Sequence, residues 1–143
     1  MTYDIISTRK CKKVIQIKHP DDIYNCLKRY ANKKQEYFLV ITLNGAHEVI
    51  SIKISTIGLV NRTIIHIREI FTHAIRDNAT AIVVAHNHPP GNLKPSDGDD
   101  EITERLKDAC KIMGFTFLDH LIISKNGYYS YRENRRIVNI NYD

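Results

Sequence analysis

Apolar and polar positions along the chain change period several times. Lys13 to Lys18 (KVIQIK) alternates and predicts a short strand. Pro20-Asp21 then opens a helix to about Tyr30, with Ile23, Cys26, Leu27 and Tyr30 on one face. Tyr37 to Leu43 is nearly all apolar, as a covered strand is, and Asn44-Gly45 is a hairpin turn signal. Glu48 to Ser55 (EVISIKIS) alternates strictly and reads as the returning strand. Ile57 to Arg62 reads as loop, Ile64 to Ile67 as a further strand, and Arg68 to Arg76 as a helix ending near Asp77-Asn78. Ala79 to Ala85 (ATAIVVA) is apolar throughout, which predicts a strand covered on both faces. Asn87 to Lys94 is a proline-rich loop, Ser96 to Met113 a helix stopped by Gly114, and Phe115 to Ser124 another strand. Asn126-Gly127 then turns into a last strand, Tyr128 to Arg132. The order is β-α-β-β-(β)-α-β-α-β-β, a single α/β domain with a mixed sheet flanked by helices.

A chain of 143 residues with 43% apolar and 26% charged positions buries one ordinary core. No apolar run reaches membrane-spanning length, and MTYDIISTRKCKK lacks a signal-peptide pattern, so the expected location is cytoplasmic. Cys11, Cys26 and Cys110 are odd in number and far apart. That argues against a disulfide framework or cysteine zinc knuckle, and Cys26 and Cys110 read as core residues. The net charge of +5 is spread over Arg9–Lys13, Lys28–Lys34 and Arg132–Arg136, and no nucleic-acid-binding motif accompanies it.

The stretch carrying chemistry is His86-Asn87-His88-Pro89-Pro90-Gly91-Asn92-Leu93-Lys94-Pro95-Ser96-Asp97-Gly98-Asp99. His86 and His88 are two apart in extended chain, so both imidazoles point to one side. Asn87 points away from them and has no assigned role. The helix stripe Ile102, Leu106, Ala109, Cys110, Met113 runs back onto Asp99, which therefore faces inward, where a carboxylate needs a partner. Ser96-x-x-Asp99 also matches a capping box, so both residues have a purely structural reading as well. Two histidines and one inward acid leave a fourth tetrahedral position open, the arrangement of a catalytic zinc. His19, His47, His66 and His73 show no ligand spacing and read as structural or exposed.

The pattern H-x-H-x(7)-S-x-x-D resembles the signature of the JAMM (MPN-plus, JAB-type) metallohydrolases. Its surroundings resemble the RadC-type branch: Gly58, Arg68-Glu69-Ile70-Phe71, His86-Asn87-His88-Pro89, Gly91, Pro95-Ser96, Ile102-Thr103 and Leu118-Asp119-His120-Leu121-Ile122. The resemblance covers about Val14 to Arg132, placing the domain at 13–132, between an extension (1–12) and a tail (133–143). Pro90 stands where such loops usually carry serine, at a position that is no ligand. The helix-hairpin-helix segment of longer members is not seen, and with it the family's main candidate for DNA contact. The resemblance implies a cytidine-deaminase-like α/β/α sandwich, one zinc ion on His86, His88 and Asp99, and hydrolysis of a peptide or isopeptide by metal-activated water. It also implies an upstream glutamate base. Glu36, directly before Tyr37-Phe38, fits best; Glu48 is second and Glu69 third. Ser96 would donate to the developing oxyanion or hold the water. Asp119-His120 reads either as an orienter of a ligand or as a polar pair in a strand. A DNA-associated protein and a catalytically silent scaffold are the competing functions. Oligomeric state is not legible.

Overall fold

The computed structural model describes residues 13–58 and 65–137. The elements are α1 (Pro20–Leu27, continued by a 3-10 turn Lys28–Tyr30), β1 (Glu36–Leu43), β2 (Val49–Gly58), α2 (Ile67–Arg76), β3 (Ala81–Asn87), α3 (Asp97–Met113), β4 (Thr116–Ser124) and β5 (Gly127–Ser130). The strands form one sheet in the order β2-β1-β3-β4-β5. Only β3 and β4 run parallel, as the crossover through α3 requires. Each face of the sheet feeds its own core. Leu39, Ile41, Val83, Ala85, Leu121 and Ile123 pack with Ile23 and Leu27 of α1. Phe38, Val40, Ile82, Val84 and Ile122 pack with Ile70 and Ala74 of α2 and Ile102 and Leu106 of α3. The result is the three-layer α/β/α arrangement expected for this domain type.

Several boundaries differ from the expectation, each for a local reason. The strand expected at Lys13–Lys18 is reduced to one bridge, Gln16 to Glu48, because Pro20 starts a helix before a ladder can grow. The strand expected at Ile64–Ile67 is absent from the described part: Ile65 and His66 lead into α2, with His66 as an extended N-cap. The loop expected from Ile57 begins later, since Ile57 and Gly58 still pair with Tyr37 and Glu36; residues 59–62 lie outside the described part. The Asn44-Gly45 turn is longer than a two-residue hairpin. The Asn44 side chain accepts from the backbone of Ala46 and Glu48, and its amide donates to the Glu48 carboxylate at 2.9 Å. β3 runs two residues further than expected, so His86 and Asn87 belong to the strand. Residues 133–137 follow β5 as turns, and Ile137 is buried against the second core.

One irregularity positions the site. Ile82 pairs with Phe117 but Val83 pairs with Asp119, so β4 holds an extra residue, a β-bulge. Unbroken alternation from Phe117 would put Asp119 on the α3 side of the sheet. The bulge gives that place to His120 instead. Asp119 is fully buried and fastens the irregularity: it accepts from the backbone of His120 (2.7 Å) and Arg132 (3.0 Å) and from the Ser130 hydroxyl. Burial raises its pKa to about 6, against the pull of these hydrogen bonds. The folded carboxyl thus holds its proton more tightly than the unfolded one. Its contribution favours folding at low pH and is lost as pH rises through about 6. Denaturant unfolding of wild type and Asp119→Asn across pH tests this. The stability difference, wild type minus variant, should fall by up to about 3 kcal/mol between about pH 4 and about pH 7. A difference independent of pH contradicts it.

Candidate metal centre

His86 stands at the end of β3, a strand buried at every position, and is itself 1% exposed. Its ring stacks on Phe38 of β1, the residue paired with it across the sheet. His88 follows two residues later. Its backbone N–H still donates to Ile123 of β4 (3.0 Å), so the extended conformation reaches it and its imidazole falls on the side of His86. The chain then turns, His88 accepting from Gly91, whose φ of 101° is open to glycine at little cost. Pro90 is exposed in this turn.

Ser96 N-caps α3 and closes a full capping box with Asp99. The Ser96 hydroxyl accepts from the Asp99 N–H (3.0 Å), and Asp99 Oδ2 accepts from the Ser96 N–H (2.8 Å). Asp99 is 7% exposed and leads the buried stripe of Ile102, Thr103, Leu106 and Cys110, as its helical phase predicts. The cap and the inward carboxylate are one arrangement, because the box fixes the rotamer that aims Asp99 at the histidines.

Among the described residues, His86, His88 and Asp99 form the one cluster of three metal-ligating side chains. Asp99 Oδ1 lies 3.0 Å from His86 Nε2, Asp99 Oδ2 lies 3.3 Å from His88 Nε2, and the two Nε2 atoms are 3.1 Å apart. Ligand atoms about 2.0 Å from a tetrahedral zinc sit about 3.3 Å from one another, so this triangle has the size the ion needs. The chemistry of the donors agrees. His88 Nδ1 faces the carbonyl of Asn92 at 3.1 Å and must donate to it, which leaves Nε2 a lone pair. His86 Nδ1 meets His120 Nε2 at 3.0 Å, His120 Nδ1 meets the Thr103 hydroxyl at 2.6 Å, and that hydroxyl donates to the Asp99 carbonyl at 2.8 Å. The hydroxyl's proton is committed to the carbonyl, so it accepts from His120 Nδ1–H. His120 Nε2 then accepts from His86 Nδ1–H, and His86 Nε2 also keeps a lone pair. These tautomers are assigned from the hydrogen-bond network. Three acceptors converge, and a cation must join them, either shared protons or a metal ion.

The electrostatics follow. When shared protons rather than an ion join the cluster, burial pushes the Asp99 carboxyl up, but hydrogen bonds from His86 and His88 outweigh it and hold the group far below the usual carboxylate range. Burial lowers His88, and the bond to Asp99 reverses this to a net upward shift. Burial, then the neighbouring His86, drives His120 well below the normal histidine value, so it is neutral. The Tyr131 ring stacks on His120 at 4.8 Å, with its hydroxyl bound to Asp100.

The other candidates separate by position. Glu36 opens β1, half-buried, two places before Phe38 and so on the same strand face. The β1–β3 ladder ends at the Phe38–His86 pair, so Glu36, two residues before Phe38, lies at the histidine end of the sheet. Glu48 is at the opposite end of the sheet, beside the Leu43–Val49 rung, and its carboxylate serves the Asn44 turn. Glu69 is exposed in the first turn of α2. Cys110 is buried and Cys26 half-buried; burial raises both thiols, to about 12 and about 11. Two residues escaped the sequence reading. Thr103 is one turn beyond Asp99 on the same stripe, a spacing that could have suggested contact. Asn87 is fully buried and holds the backbone ahead of β1.

Residues 17–136 match the family described as the RadC-like JAB domain. A UPF0758 protein of Methanospirillum hungatei is 46% identical over 123 residues, which is 85% of this chain and 55% of that protein. Relatives of the same name come from Alkaliphilus metalliredigens (47% identical; 82% of this chain, 51% of the relative) and Streptococcus gordonii (38% identical; 94% and 54%). The chain thus spans about half the length of these curated relatives. The match over most of its length shows that this chain belongs to the RadC-like JAB domain family.

Proposed function

We propose that the domain is a zinc-dependent hydrolase of amide bonds, acting on a peptide or isopeptide. The observation that supports this best is the triangle of His86 Nε2, His88 Nε2 and Asp99, with both histidines held in the tautomer that turns a lone pair inward. Those three residues would hold the ion. When bound, it supplies Lewis-acid polarisation and brings the pKa of a bound water towards about 7. Three protein ligands leave one position open, as catalysis needs and a structural site does not.

The remaining roles fall to the chain's own groups. Glu36 accepts a proton from the attacking water as oxygen adds to the carbonyl carbon. It returns that proton to the amine when the C–N bond breaks, so acid and amine leave as products. Ser96 Oγ already accepts from Asp99 N–H at the exposed start of α3, and its own hydroxyl proton can turn to a further acceptor. It donates to the oxygen that gains charge. The basic cluster before Glu36 gives the competing nucleic-acid reading little support. Lys28, Arg29 and Lys33 lie over the rings of Tyr24, Tyr30 and Tyr37 of the chain itself. No helix among the described residues is long and apolar enough to cross a membrane.

Zinc-loaded protein screened against peptide and isopeptide libraries, with Glu36→Gln as the blank, tests the reaction. Glu36→Gln should keep its zinc and lose turnover by about 10²- to 10⁴-fold. Ser96→Ala should lose about 10²-fold in kcat and also about 1 kcal/mol of stability with its cap. Full activity in Glu36→Gln removes the glutamate from the mechanism. The histidine–threonine chain has a test that needs no substrate. Thr103→Val, nearly isosteric, leaves His120 Nδ1–H without an acceptor and should weaken zinc binding about tenfold in chelator competition. Wild-type affinity in Thr103→Val would show that the chain does not orient His86.

A further inference from the structure

We propose that Asn87 is a positioning residue that fixes Glu36 relative to the two histidines it stands between. The inference rests on the base role of Glu36 proposed above, and it concerns a residue that touches neither the ligands nor the reacting atoms. The β1–β3 ladder ends at the Phe38–His86 pair. Where the next backbone bond would form, the N–H of Tyr37 donates instead to the side-chain Oδ1 of Asn87, at 2.6 Å. The Nδ2 of the same amide donates to the carbonyl of Gln35 at 2.9 Å and reaches that of Lys33 at 3.4 Å. One N–H needing an acceptor and carbonyls needing a donor fix the orientation of the amide.

These bonds bracket one residue. The Gln35 carbonyl belongs to the peptide unit before Glu36, and the Tyr37 N–H to the unit after it. Holding both units restricts φ and ψ of Glu36 and so the direction of its side chain. The anchor is fully buried, whereas Lys33, Lys34 and Gln35 are exposed. Asn87 shares its strand with His86 and directly precedes His88, so a shift in the ligands carries the glutamate with it. Period 2 explains how this is built: ligands point to one side of β3, and the residue between them points to the other, where the Lys33–Tyr37 segment passes. Few residues can replace it. Aspartate accepts from Tyr37 but turns a carboxylate towards the two carbonyls. Serine is too short to span both groups.

The test uses full-length protein loaded with Co²⁺ or Zn²⁺ and carrying ¹³C-labelled glutamate. The probe is the Glu36 carboxylate resonance, identified by its loss in Glu36→Gln. In the Co²⁺ form its paramagnetic shift reports its distance from the ion. In Asn87→Asp that shift should shrink, zinc affinity should stay within about threefold of wild type, and turnover should fall about 10- to 100-fold. Asn87→Ser, small and uncharged, should behave likewise, and cooperative thermal unfolding of either variant establishes that it is folded. An unmoved Glu36 signal overturns the proposal. So does a zinc affinity that falls as far as turnover, since Asn87 would then act through the ligands. Persistent turnover in Glu36→Gln sinks the base assignment instead, while the Co²⁺ shift still decides whether Asn87 places Glu36.

Discussion

The structure is organised around a demand of charge and hydrogen-bond chemistry: Asp99 and two imidazole lone pairs are brought within about one ligand–ligand spacing of each other and largely out of water. Such a cluster of acceptors is costly unless a cation joins it. Much of the surrounding architecture serves to hold the three atoms there regardless. The capping box aims Asp99, the loop carbonyl of Asn92 sets His88, and the chain through His120 and Thr103 sets His86. That chain ends on the carbonyl of Asp99, so one ligand's tautomer is tied to the backbone of another. The β4 bulge, fastened by Asp119, is what brings His120 to that side of the sheet.

The convergence of His86, His88 and Asp99 was legible in the sequence because each position depends on a local period. Alternation set His86 and His88 on one side, and the helical stripe carried Asp99 inward. Ser96 and Asp99 had seemed to divide between a capping role and a functional one. In the structure the capping box and the inward carboxylate are one arrangement, so the cap is compatible with a ligand role for Asp99. The main elements were legible for the same reason, while the failures lie where a short extended segment leads into a helix, at Ile65–His66, or meets Pro20 too soon.

What was not legible depends on contacts between segments distant in the chain. Asn87 grips residues some fifty positions earlier, and Thr103 meets a histidine from the next strand. Neither contact has a spacing in the sequence. The bulge was hidden too, because Leu118 and Asp119 read as ordinary alternation until paired with Val83. Glu36 and Glu48 look equivalent in hydropathy, and the register separates them in space: one opens β1 at the histidine end of the sheet, the other closes the far turn.

X-ray absorption at the zinc edge of the metal-loaded protein reads the coordination of the ion itself. A site on His86, His88 and Asp99 should give one ion per chain, four-coordinate, with two imidazoles and two oxygens at about 2.0 Å and no sulfur. A sulfur shell at about 2.3 Å, or a spectrum unchanged in His88→Ala, would contradict it.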